Sequence, residues 1–129
     1  MCKAKIMIVD DEKIVLRAYK KELEDQDYSV ITVSSAAEAI EKANNEQFDI
    51  ILTDLIMPGL NGLELCEEIK KISQRTEVVL MSGYHEEMQK NWMEFIKAGG
   101  RDFFLRKPLS PGELKDTITT ILIEKRKGC

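Results

Sequence analysis

Several things are scarce in this chain of 129 residues: it has 3 cysteines, 3 prolines, 1 histidine and 1 tryptophan. Cys2, Cys66 and Cys129 are odd in number and lack the close spacing of a zinc site or a disulfide framework, so neither staple is expected. Reduced cysteines suit a cytoplasm. Positive charge is not in excess either, with 19 Lys and Arg against 23 Asp and Glu and a net charge of −4. That argues against nucleic acid as a direct ligand, because phosphate-backbone binding needs clustered cations. No apolar run approaches the roughly 18 residues of a membrane span, and Met1 to Lys5 has no apolar stretch for a signal peptide. The expectation is a soluble, cytoplasmic domain over residues 1–125, with 126–129 as a short charged tail.

What is present is a regular alternation. Apolar residues make up 43% of the chain, enough for one core that buries about two thirds of the surface the unfolded chain exposes. Ile6 to Val9, Ile50 to Thr53, Val78 to Met81 and Phe103 to Leu105 are continuous runs rich in β-branched or aromatic residues. They read as strands buried on both faces, which is how parallel strands read. A further strand fits Tyr28 to Val33. Between the runs lie helical patterns. Glu12 to Asp25 carries Ile14, Val15, Ala18, Tyr19 and Leu23 as its apolar stripe. Ser35 with Glu38 forms a capping box for the second helix. A third helix begins near Asn61 or Gly62, a fourth covers about Glu86 to Ala98 with Trp92 and its methionines against the sheet, and a fifth starts at Ser110 with Pro111 in its first position. Cys66 falls in the third helix, where a small buried thiol is ordinary. The pattern predicts a doubly wound α/β fold: a five-stranded parallel sheet with five helices, flavodoxin-like, in the order 2-1-3-4-5.

In such a sheet the carboxyl ends of the strands face one crevice. Asp10 and Asp11 follow the first run, Asp54 the third strand, Ser82 the fourth and Lys107 the fifth. Three carboxylates, a hydroxyl and an ammonium are thereby brought to one pocket, a combination suited to taking up a phosphoryl group. Mg²⁺ is a hard ion that binds through carboxylates, carbonyls and water; Asp11 and Asp54 can be direct ligands, with Asp10 acting through water and the Ile56 carbonyl completing the protein's share. Without the ion the crowded carboxylates repel, which raises at least one pKa and weakens the nucleophile.

The runs IMIVDDE (Ile6 to Glu12), DIILTDLIMPGLNGLEL (Asp49 to Leu65), VVLMSGY (Val78 to Tyr84) and FFLRKP (Phe103 to Pro108) resemble the receiver domain of two-component response regulators, over nearly the whole chain and in order. The resemblance implies that Asp54 accepts the phosphoryl group from a sensor histidine kinase or phosphotransfer protein. It implies further that Asp10 and Asp11 form the Mg²⁺-holding acidic pair, Ser82 the switch hydroxyl, Lys107 the phosphoryl-pairing cation and Phe104 the aromatic rotamer switch. In that family the positions of Ile56 and Tyr84 tune self-dephosphorylation, and the fourth helix, fifth strand and fifth helix form the output face, toward a downstream partner, an attached output domain or a phosphorylation-dependent dimer. The chain is then a phosphoacceptor that catalyses only its own phosphorylation and dephosphorylation. His85 receives no catalytic or phosphorelay role.

Two departures from the family pattern stand out. The segment from Ser82 to Lys107 is about three residues longer than usual, and Arg101 replaces a small residue after Gly100. Other classes fit less well. A haloacid-dehalogenase-like phosphatase would need a second aspartate where Glu12 stands, and a flavodoxin's phosphate loop would be repelled by Asp10, Asp11 and Glu12. A phosphate-independent interaction module would be expected to lose one of the five site residues, and none is lost.

Overall fold

In a computed structural model that describes residues 4–26, 28–57, 59–83 and 85–125, the alternation becomes five strands and five helices. Tyr84, Cys2, Cys129 and the expected 126–129 tail lie outside the described residues. The elements run β1 (Lys5–Val9), α1 (Lys13–Glu24), β2 (Ser29–Val33), α2 (Ala36–Asn45), β3 (Ile50–Asp54), α3 (Gly62–Ile72), β4 (Glu77–Ser82), α4 (His85–Lys97), β5 (Phe104–Arg106) and α5 (Glu113–Lys125). All strand pairs are parallel, and the order is β2-β1-β3-β4-β5.

Successive side chains of a strand point to opposite faces, so each continuous apolar run feeds two cores at once. Met7, Val9, Ile51, Leu55, Val78 and Leu80 pack with Ala39 of α2, Leu65 and Cys66 of α3, and Met88 and Phe95 of α4. Ile6, Ile8, Ile50, Leu52, Val79, Met81 and Leu105 pack with Leu16 and Leu23 of α1 and Leu114, Ile118 and Ile121 of α5. Burial pushes the Cys66 thiol up to about 11, which makes it a small apolar residue in practice. Asn61 forms a complete capping box with Glu64, its side chain accepting the Glu64 N–H at 2.9 Å and its own N–H donating to Glu64 at 3.1 Å. Ser35 accepts the Glu38 N–H at 3.2 Å, but Glu38 reaches back to Ser34 rather than Ser35.

Four local expectations are corrected. The inward stripe of α1 is Leu16 and Leu23 with Tyr19 half-buried, while Ile14 is 83% exposed; the side of α1 turned to the sheet is not the one that its apolar residues suggested. The last helix begins at Glu113, not at Ser110. Gly112 takes φ +82°, a left-handed conformation open to glycine that interrupts a helix, and the Ser110 N–H donates to the Glu113 carboxylate at 2.9 Å. β5 is shifted by one residue because the Phe103 N–H turns back to the Arg101 carbonyl at 2.7 Å, leaving Phe103 44% exposed. Of the α4 methionines, Met88 is buried but Met93 is 65% exposed.

Candidate functional site

Strand register builds the site. Val9 lies opposite Thr53 and Asp54 opposite Met81, so Asp10 and Asp54 emerge at one level and Ser82 one step beyond. Ser82 pairs with Arg106, and the Lys107 N–H extends the ladder to the Ser82 carbonyl at 3.0 Å. The crevice between β1 and β3 is where the winding of the sheet reverses, the place where open α/β sheets take ligands.

Asp10 is wholly buried and Asp54 and Ser82 nearly so, at 7% and 3% exposure. Asp11 faces solvent. Neither aspartate of the pair caps α1, whose N-cap is Glu12 without a side-chain bond. Instead, one Asp10 oxygen accepts the Glu12 N–H at 3.0 Å and the other accepts from Lys107 Nζ at 2.5 Å. The same ammonium donates to Asp54 Oδ2 at 3.1 Å, and Asp54 Oδ1 accepts the Ile56 N–H at 3.4 Å. Oxygens of Asp10, Asp11 and Asp54 all lie within 4.8 Å of one another. One ammonium against these three carboxylates leaves two negative charges uncompensated. That donor set, hard oxygens with one group open to solvent, fits a hard divalent cation.

Burial is the first cause that holds the Asp54 carboxyl above the usual carboxylate range; the Lys107 charge and hydrogen bond pull it back, Asp10 pushes it up again and the Ile56 N–H lowers it. The expected upward shift is present, but its leading cause is desolvation rather than like-charge crowding. Burial works to lower Lys107, yet its hydrogen bond to Asp10 and the charges of Asp54 and Asp10 outweigh this and leave the ammonium above its ordinary value. The cation is firmly charged. Tyr19 of α1, expected only as part of that helix's apolar stripe, is close enough to feel Lys107, Asp10, Asp54 and Glu12, although burial is the larger reason its phenol is raised.

A second residue missed in the sequence is Gly62. A Cβ there would lie 2.6 Å from the Asp54 carbonyl oxygen and 2.9 Å from Leu80 Cδ2, so α3 can approach the site strand this closely only through glycine. The signal was Gly62 directly after the cap residue Asn61. Among the sequence-predicted residues, Asp10, Asp11, Asp54 and Lys107 converge, Ser82 stands buried at the adjoining strand end, and Ile56 is 41% exposed beside them. Phe104 lies elsewhere, half-buried against Trp92 of α4 with ring centroids 5.3 Å apart. Tyr84 is outside the described residues.

Comparison with known proteins gives a consistent picture. The family profile described as response regulator receiver domain matches residues 6–119. The alkaline phosphatase synthesis transcriptional regulatory protein PhoP of Bacillus subtilis is 33% identical over 118 residues, 92% of this chain and 48% of its own length. The response regulator ArlR of Staphylococcus saprophyticus is 33% identical over 92% of this chain and 52% of its own. The chain thus spans about half the length of the curated relatives it matches. Among solved structures, a CheY-like response regulator receiver domain protein from Methanospirillum hungatei superposes with a TM-score of 0.90 at 31% identity, covering 98% of both chains. Chemotaxis response regulator CheY4 of Vibrio cholerae gives 0.83 at 27% identity, over 94% of this chain and 100% of that one. No helix among the described residues is long and apolar enough to cross a membrane.

Proposed function

The chain belongs to the response regulator receiver domain family of two-component signalling, and on that premise we propose that Asp54 is its phosphoacceptor. The observation that carries the assignment is the Lys107 ammonium shared between two buried carboxylates, Asp10 at 2.5 Å and Asp54 at 3.1 Å, beside the exposed Asp11. In line with the phosphorus of a donor, an Asp54 oxygen forms the new P–O bond while the leaving group departs with the electrons of the broken bond. Lys107 pairs with the transferred oxygens and Ser82 donates its hydroxyl to one of them. Asp11 and Asp54 would hold Mg²⁺, with Asp10 acting through water and the Ile56 carbonyl completing the protein's share. The ion, when bound, would offset the two uncompensated carboxylate charges and so lower the repulsion that an incoming phosphoryl group meets.

A sensor histidine kinase or phosphotransfer protein in the cytoplasm supplies the phosphoryl group. Phe104 registers its arrival, and α4, β5 and α5 present the change to a downstream partner, an attached output domain or a second copy of the chain. The domain itself makes no direct nucleic-acid contact, in keeping with its net charge of −4. Ile56 and Tyr84 shield the acyl phosphate from water, because neither side chain orients a water as an acid or amide does. The phosphorylated form should therefore decay slowly, with a lifetime nearer hours than seconds, and Ile56→Asn with Tyr84→Glu should speed that decay by at least about tenfold, or 1.4 kcal/mol of barrier.

Incubation with acetyl phosphate and Mg²⁺ tests the assignment. Intact mass should show one added phosphoryl group, lost in Asp54→Asn and in EDTA. Modification that persists in full in either case overturns the reading.

A further inference from the structure

The turn that follows α4 and the side of α5 enclose a cavity that takes no part in the chemistry at Asp54. Its volume is about 660 Å³, within the range of sites that hold small organic molecules. The gap has a local cause. Gly99 takes φ +97°, and a Cβ on Gly100 would fall within the space of the Phe95 ring, so two glycines let the chain turn sharply at the end of α4. The Arg101 N–H then joins the sheet at the Val78 carbonyl, and the Phe103 N–H turns back to the Arg101 carbonyl. Phe103 is thereby left out of β5 and 44% exposed. The gap lies between this turn and Asp116, Thr120 and Ile121 of α5.

The charges that line the cavity fall into two groups. Arg101 is held by Glu77 at 3.0 Å and by Glu124, and the Lys70 ammonium donates to the carbonyls of Gln74 and Thr76 at 3.1 and 2.6 Å. Both cations are engaged within the protein. Asp102 and Asp116 are exposed carboxylates, and neither pairs with a cation among the described residues. The same lining carries the Phe103 ring and the buried Ile121. Two open carboxylates attract positive charge, an aromatic face adds to that attraction, and apolar lining favours an apolar body. An anion would be repelled.

We propose that this cavity is a second ligand site, for a small organic cation that carries an amine, amidine or guanidine group on an apolar body. Asp102 and Asp116 take the charge, Phe103 and Ile121 take the apolar part, and the Arg101 brace to Glu77 and Glu124 fixes the wall between them. The cavity shares no residue with the acidic crevice of Asp10, Asp11, Asp54 and Lys107. Its ligand therefore binds whether or not Asp54 accepts a phosphoryl group.

Benzamidine is the probe, with benzamide and benzoate as neutral and anionic counterparts of the same shape. Each is titrated into the unmodified, isotope-labelled protein in the presence of Mg²⁺ while backbone amide shifts are followed by NMR. Benzamidine should give saturable shifts at residues 99–103 and 116–124 with a dissociation constant in the millimolar range; benzamide should bind at least about tenfold more weakly, and benzoate should not saturate. Asp102→Asn with Asp116→Asn, at two exposed positions, should weaken benzamidine by at least about tenfold, and Phe103→Ala by about threefold. The comparison of the three probes on the unmodified protein does not depend on how any variant folds. Absence of saturable shifts, shifts confined to the surroundings of Asp10, Asp11 and Asp54, benzamide binding as tightly as benzamidine, or undiminished binding in the double variant would each overturn the proposal.

Discussion

Charged side chains cluster at both ends of the sheet, and the two clusters are built to opposite rules. At the end where β4 begins, Arg101 pairs with Glu77 at 3.0 Å and with Glu124, and Lys125 approaches Glu77 at 4.0 Å. Two cations meet two carboxylates, all partly open to solvent. At the carboxyl end, Lys107 faces Asp10, Asp54 and Asp11, and its two direct partners are 0% and 9% exposed at the side chain. Compensated, half-wet pairs contribute little to stability and demand nothing further. Uncompensated carboxylates in a buried crevice keep a standing cost that only an incoming cation or the loss of a charge removes. The same residue types therefore make a brace at one end and a charge-deficient crevice at the other.

The largest expected difference is in reactivity. Lys107→Ala should slow phosphoryl uptake from acetyl phosphate by about 100-fold, or 2.7 kcal/mol of barrier, whereas Arg101→Ala should leave the rate within about twofold; equal effects from both would erase the distinction between the ends. Next comes the metal. Asp11→Asn should weaken Mg²⁺ binding by at least about tenfold, as losing a direct ligand does, and Glu77→Gln should leave the affinity unchanged, both followed by calorimetric titration.

Stability should separate the ends by sign. Because the folded-state pKa of Asp54 is raised, first by burial, its ionisation opposes folding: the cost appears as pH rises through the ordinary carboxylate range and is complete once pH has passed the folded value. Asp54→Ala should thus raise the melting temperature at pH 7 by about 3 °C, what roughly 1 kcal/mol gives a domain of this size, and the gain should vanish once Asp54 is protonated. Glu77→Ala removes a partner of Arg101 and should lower the melting temperature by a smaller amount, about 1–2 °C. Scanning calorimetry across pH checks both. For Lys107, whose pKa is raised by its partners, the stabilising contribution is present below the ordinary lysine value and fades only as pH climbs through the higher folded value.

The carboxyl-end cluster was legible in the sequence because each member is the residue at or just past the end of an apolar run, and parallel pairing alone brings such residues together. The convergence of Asp10, Asp11, Asp54 and Lys107, with Ser82 at the adjoining strand end, follows from that. Three kinds of feature did not. Which residues of α1 point inward depends on how the helix is turned about its own axis against the sheet, so Leu16 took the place given to Ile14 and Ala18. Where α5 begins depends on the backbone sign at Gly112, which composition does not announce. The requirement for glycine at Gly62 is a distance to the Asp54 carbonyl, visible only when α3 is laid on the sheet. The amino-end brace joins residues 77, 101, 124 and 125, and no local pattern pairs them.

The central claim, that the carboxyl-end site is short of positive charge and is completed by a divalent cation, is tested most directly by titrating the unmodified protein with Mg²⁺ while following its melting temperature. The account predicts saturable binding of one ion per chain in the millimolar range or tighter. The melting temperature should rise with the logarithm of Mg²⁺ concentration above the dissociation constant, with the rise retained in Arg101→Ala and largely lost in Asp11→Asn. A melting temperature indifferent to Mg²⁺ through millimolar concentrations, or an undiminished rise in Asp11→Asn, would contradict it.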